Sequence, residues 1–221
     1  MSSENDLWHA DVWRDCTAEE REYIIDKIAK SPVVYPKGSF LWQVGDRIPG
    51  AGLILSGEVY ISVEDLDGRR NVLAKLKAGD IAGEVFAISE TPSSVSVIAE
   101  KDTKVLYLDI SLLYREDGEM TPVMQKFQRN FIRMLATKAA YLNQKIQCMG
   151  QRSIREKVSC YLHFRQKVSG TNPFPIPLSR EELADYLGVD RSALSYVLST
   201  MAKEELITYR KNVFFLCKYD E

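Results

Sequence analysis

The sequence predicts an α+β chain built as an antiparallel β domain, one long helix and a C-terminal winged helix-turn-helix. Three observations carry this prediction. Between Pro32 and Asp109, short alternating apolar runs are cut by glycine turns, as in a sandwich or small barrel. From Asp117 to Met149 apolar residues recur at helical spacing, with no Gly or Pro between Pro122 and Gly150. Beyond Ser179, two capped helical segments flank a three-residue turn and lead into a hairpin. The implied division is residues 1–116, 117–149 and 150–221.

Thr17-Ala18-Glu19-Glu20 reads as a capping box, with Thr17 as N-cap and Glu20 reaching back to it. Tyr23, Ile24, Ile25 and Ile28 form the apolar face of the helix that follows, and Trp8 and Trp13 are expected to fold back on the domain. Strand-like runs then occupy 33–35, 52–55, 59–63, 71–76, 94–99 and 105–108. Asp67-Gly68 suits a tight hairpin, since both positions tolerate positive φ. The run from Ile81 to Ile88 breaks this rhythm. Ala82 and Gly83 permit close backbone approach, Glu84 is an acid among apolar neighbours, and Glu90 to Ser94 is a polar loop. This insertion reads either as a ligand cradle or as a plain crossover with Glu84 at its surface.

The long segment carries two apolar tracks, Met120, Met124, Phe127, Phe131 and Met134, then Leu135, Ala139, Leu142, Ile146 and Met149. A helix of about 27 residues is about 40 Å long, more than one small domain needs to cover its core. The first track is expected to face the β domain. The second is nearly a strict a/d heptad and predicts pairing with a second copy; a long buried helix in a single domain is the alternative.

In the tail, Ile154, Val158, Tyr161 and Leu162 mark a helix ending before Gly170, and the prolines from Pro173 to Pro177 impose an extended link or edge strand. Ser179-Arg180-Glu181-Glu182 is a second capping box, opening a helix with Leu183, Ala184 and Leu187 inside. Gly188-Val189-Asp190 turns the chain, and Asp190 caps a helix from Arg191 to about Glu205 that buries Leu194, Val197, Leu198 and Met201. Strands at 206–210 and 213–216 meet at Lys211-Asn212. In such a motif the second helix enters the DNA major groove, and its outward positions are Arg191, Ser192, Ser195, Tyr196 and Ser199. Arg191 suits guanine O6 and N7 or a phosphate. Ser179 and Arg180, at a helix N-terminus, suit a phosphate, and Lys211 at the hairpin tip suits another. Each alone is an ordinary surface side chain; the combined spacing points to double-stranded DNA.

The formal net charge is -2, with 18 Lys plus Arg against 22 Asp plus Glu through Gly150 and 11 against 9 beyond it. That asymmetry has the sign expected if only the tail meets a polyanion. Cys16, Cys148, Cys160 and Cys217 stand far apart with no pair at a CxxC or similar spacing, so neither a disulfide framework nor a thiolate metal cluster is expected, and a reducing cytoplasm is. A membrane partner is not expected, since neither a signal-type leader nor a run of 18 apolar residues is present. His9 and His163 lie far apart, no metal-ligand spacing occurs, and no nucleotide fingerprint or nucleophile elbow is found, so an enzyme is not expected.

Leu53-Ile54-Leu55-Ser56-Gly57-Glu58-Val59, Asp67-Gly68-Arg69, Gly79-Asp80, Gly83-Glu84 and the run from Leu183 to Ser195 together resemble the Crp/Fnr superfamily of bacterial transcription regulators over essentially the whole chain. The resemblance implies a cyclic-nucleotide-binding-like double-stranded β-helix, or β-roll, that senses an effector. It also implies paired long helices in an allosteric homodimer, a palindromic operator, and contacts with RNA polymerase. Gly83, Glu84, Val85, Ser93 and Ser94, with Lys138, Tyr141 and Leu142 from the long helix, are the implied effector residues, and Leu135, Ala139, Leu142, Ile146 and Met149 the implied dimer seam. Ser93 and Ser94 stand where cyclic-nucleotide binders carry Arg then Ser, and without that Arg a cyclic phosphate lacks its bidentate countercharge. Cyclic AMP is therefore not the expected effector. No iron-sulfur cluster is expected with Cys16 alone near the N-terminus, and no haem with neither Cys nor His between Pro32 and Asp109. Tyr196, where many relatives have Arg, admits the alternative of a ligand-sensing protein that has lost specific DNA recognition.

Overall fold

The computed structural model describes residues 12–64, 70–114 and 120–217. Trp8, His9, the Asp67-Gly68 turn and the expected helix start at Asp117 lie outside the described residues. The chain divides into two compact units, with the boundary between Met134 and Leu135, inside the long helix.

In the first unit, α1 (Ala18–Ile28) starts on the full capping box of Thr17 and Glu20. Among the described residues eight strands follow: β1 (Val33–Tyr35), β2 (Phe40–Trp42), β3 (Ala51–Ser56), β4 (Glu58–Glu64), β5 (Arg70–Lys77), β6 (Ile81–Ala82), β7 (Ser96–Ala99) and β8 (Thr103–Leu108). They form two four-stranded antiparallel sheets, ordered β1-β8-β3-β6 and β2-β7-β4-β5. Trp42, Val59 and Val97 from one sheet meet Ile54, Val105 and Tyr107 from the other in a shared core. Strands β2 and β6 were not expected. At three and two residues they are too short to show a period of two, and only their sheet partners define them.

The long helix α3 runs from Pro122 to Met149. Met124, Phe127, Phe131 and Met134 of its first track are buried. The polar bonds and ring contacts along this stretch come largely from the N-terminal segment. Trp13 packs on Phe127 at 5.2 Å between ring centroids, Lys126 reaches the Glu20 carboxylate at 2.7 Å, and the Asn130 amide donates to Arg14 O at 2.7 Å.

The second unit contains the remainder of α3, then α4 (Ile154–Ser169), β9 (Phe174–Pro175), α5 (Arg180–Leu187), α6 (Arg191–Lys203), β10 (Ile207–Arg210) and β11 (Val213–Leu216). Its three strands are ordered β10-β11-β9, so the proline-rich link adds an edge strand to the hairpin. Val158, Tyr161, Leu162, Phe174, Leu183, Leu194, Leu198 and Phe214 close its core, whereas Val197 is only half-buried. Along α3 the faces separate cleanly. Gln144 and Cys148 are buried, while Leu142, Ile146 and Met149 are exposed.

Candidate nucleic-acid interface

The helix-turn-helix is assembled by local bonds. Ser179 accepts from the Glu182 backbone N–H at 3.2 Å, and Glu182 accepts from that of Ser179 at 2.7 Å, which fixes the start of α5. Gly188 ends the helix at φ +60°, where any Cβ would also lie 3.0 Å from Met149 Cε. Asp190 Oδ1 then accepts from the N–H groups of Ser192 at 2.8 Å and Ala193 at 3.0 Å, and from the Ser192 hydroxyl. The Ser192 hydroxyl bond, followed by the two N–H bonds, holds the Asp190 carboxyl below the usual aspartate value.

Beyond this cap, α6 buries Leu194, Leu198 and Met201 and exposes Arg191, Ser192, Ser195, Tyr196 and Ser199. Tyr196 is 74% exposed. Ser195 donates its hydroxyl proton to Arg191 O at 2.9 Å, as Ser192 does to Asp190. Both serines have thus committed their one proton and keep acceptor lone pairs for an outside donor, such as a base amino group. Lys211 is exposed at the hairpin tip, at φ +54°.

Arg180 departs from expectation. Its guanidinium lies 5.0 Å from the Tyr209 ring centroid and 4.9 Å from that of Phe214, and donates to Lys211 O at 2.9 Å. Burial pulls its pKa below the ordinary arginine value. Cation-π attraction and packing of its apolar stem turn it inward, so it ties α5 to the wing and does not project at the helix N-terminus. Ser179 remains exposed there, its hydroxyl spent as the α5 cap.

In the β unit, Gly83 sits at φ +77° immediately before the short helix α2 (Glu84–Ser89). A Cβ there would stand 3.0 Å from Ile48 and 3.2 Å from the Trp42 ring. Glu84 is buried and Val85 exposed. Ser93 is buried, its hydroxyl donating to Val95 O at 2.7 Å and accepting from Val95 N at 3.2 Å; Ser94 is exposed. Trp42, which sequence reasoning did not single out, belongs here. Its indole Nε1 is buried without a hydrogen-bond partner among the described residues, a feature with no sequence signature. In the other unit Lys138 is half-buried, Leu142 is exposed, and Tyr141 packs edge-on against Tyr186 at 5.5 Å. The Tyr141 ring, expected at an effector, lies against the helix-turn-helix core because Tyr186 and Tyr161 build an aromatic cluster there.

Comparison with known proteins places these two units. Residues 32–115 match the cyclic nucleotide-binding domain, and residues 156–220 match the Crp-like helix-turn-helix domain. The chain belongs to the Crp/Fnr family of transcription regulators. Among relatives of this Crp/Fnr regulator, the cyclic AMP receptor protein of Thermus thermophilus is 26% identical over 175 residues, 79% of this chain and 78% of that protein. The nitrogen fixation regulation protein FixK of Rhizobium meliloti is 25% identical over 177 residues, 80% and 77% of the two chains. The solved structure of OCPA-complexed CprK shares the fold at a TM-score of 0.60 and 16% identity, covering 90% of this chain and 91% of that one. Among the described residues, no helix of the regulator is long and apolar enough to cross a membrane.

Proposed function

We propose that this Crp/Fnr regulator is a cytoplasmic homodimer that reads a palindromic operator and responds to a small molecule other than cyclic AMP. The observation that carries DNA reading is the two-sidedness of α6, which exposes Arg191, Ser192, Ser195, Tyr196 and Ser199 while its opposite face closes the core. Arg191 reads guanine, the two serines accept from base amino groups, and Lys211 with the exposed end of α5 at Ser179 meets phosphates. Pairing is supported by the exposed apolar stripe of Leu142, Ile146 and Met149 in line with Leu135 and Ala139. Two heads held by one seam read two half-sites about one helical turn apart, hence the palindrome.

The effector reading rests on Gly83, Glu84, Val85, Ser93 and Ser94. By its resemblance to cyclic-nucleotide binders Ser93 stands where they carry a phosphate-binding Arg, and its hydroxyl is tied to Val95, which favours an uncharged or largely apolar ligand over a cyclic phosphate. Bound to DNA, the dimer acts through contacts with RNA polymerase.

The deciding experiment is selection of duplexes from a random pool by the full-length protein, with and without a cell metabolite extract, followed by binding measured against salt. A selected palindrome is expected, with log K falling linearly in log salt. Failure to enrich any sequence under both conditions overturns DNA reading and leaves a ligand-sensing protein.

A further inference from the structure

Two of the four cysteines, twelve positions apart in sequence, meet inside the second unit. Cys148 lies in the last turn of α3 and Cys160 in the second turn of α4, and their Sγ atoms are 2.8 Å apart. We propose that Cys148 and Cys160 are a peroxide-oxidisable dithiol that closes to an intramolecular disulfide between α3 and α4.

The two thiols differ in access. Cys148 is wholly buried among Val158, Tyr161 and Leu162, the core face of α4. Cys160 is half-buried and lines a wide, open surface depression of about 600 Å³ with Ser153, Arg155, Glu156, Ser159 and His163. Water and a small oxidant therefore reach Cys160 and not Cys148. Burial, reinforced by the contact with Cys160, pushes the Cys148 thiol up to about 12.

The chemistry follows from that asymmetry. The Cys160 sulfur attacks a peroxide oxygen, the O–O bond breaks, and Cys160 becomes a sulfenic acid as one water leaves. The Cys148 sulfur then attacks the Cys160 sulfur, the S–O bond breaks, and the Cys148 proton leaves with the hydroxyl as a second water. Two thiols are oxidised by two electrons and one peroxide is reduced to two waters. The sulfurs need to approach by roughly 0.8 Å to reach the S–S bond length of about 2.05 Å, a movement within side-chain reach. The bridge closes a loop that contains the connection 150–153 between the long helix and the first helix of the helix-turn-helix unit.

The test treats reduced, desalted full-length protein with hydrogen peroxide and follows intact mass, peptide map and amide exchange. The expected product is about 2 Da lighter, contains a peptide pair linked through Cys148 and Cys160, and exchanges amides more slowly over 150–153. In Cys148→Ala the sulfenic acid on Cys160 has no partner and is captured by dimedone, while Cys217→Ser closes as the wild type does. Addition of about 32 Da at Cys160 without a linked peptide, a bridge through Cys16 or Cys217, or an unchanged Cys160 overturns the proposal. None of these readouts requires DNA, so the outcome is independent of the operator selection.

Discussion

At the turn between α5 and α6, a single carboxylate sets both a fold boundary and a pH response. Asp190 accepts two N–H groups and a hydroxyl, which lowers its folded pKa, so its stabilisation is full above the unfolded aspartate value of about 3.9 and is lost as pH falls through the depressed folded value. Asp190→Asn keeps a neutral capping oxygen. Urea midpoints measured from pH 6 to pH 2 are expected to fall more steeply for the wild type than for this variant; parallel curves would refute the role. One residue further on, Arg191→Ala is expected to weaken binding to the selected operator by about 1–3 kcal/mol, roughly fivefold to 150-fold, and binding to random duplex far less. Fluorescence anisotropy on both duplexes decides this, and equal losses would demote Arg191 to a phosphate contact. Arg180 shows the limit of reading one residue at a time. Its place at a helix N-terminus was legible, but its contacts with Tyr209 and Phe214 depend on a wing some thirty residues later in the chain.

Elements with their own punctuation were legible at once. Capping boxes at Thr17, Ser153 and Ser179 begin three helices, Gly170 and Gly188 end two of them, and Pro122 opens the longest. The Ser153 box is written in the sequence as Ser-x-x-Glu and fixes the start of α4. Strands β2 and β6 had no such marks. The crossover beside β6 depends on Gly83, whose left-handed backbone and contact with Trp42 leave no room for a side chain. Gly83→Ala is expected to destabilise the β unit by about 1–2 kcal/mol from backbone conformation alone, with the crowding against Ile48 and Trp42 adding to it. Denaturant unfolding followed by Trp fluorescence measures this; an unchanged midpoint would mean that α2 shifts freely and does not define a cradle.

For the whole molecule, the consequential feature is that α3 serves two bodies. Met124, Phe127, Phe131 and Met134 are buried in the first unit, and Gln144 and Cys148 in the second, while Leu142 and Ile146 remain uncovered at 55% and 67% exposure. If that stripe is the seam, Ile146→Glu places like charges in it and is expected to leave a folded monomer that loses the palindrome while retaining weak, salt-sensitive binding to any duplex. Sedimentation at micromolar concentration checks this, with helix content by circular dichroism as the folding control. A variant that still sediments as a dimer would move the seam elsewhere.

The fold class, the family and the outward face of α6 were written in the chain itself, whereas the boundary between the two compact units falls inside the long helix, between Met134 and Leu135. Periodicity, caps and glycine turns are local properties, and each acts within a few residues. Tertiary structure alone decided the inward turn of Arg180, the buried indole of Trp42 beside Gly83, the packing of Tyr141 on Tyr186, and the meeting of Cys148 with Cys160. Each of these pairs groups on different elements, and which partner a side chain reaches is set by the packing of whole helices and strands rather than by its neighbours in the chain.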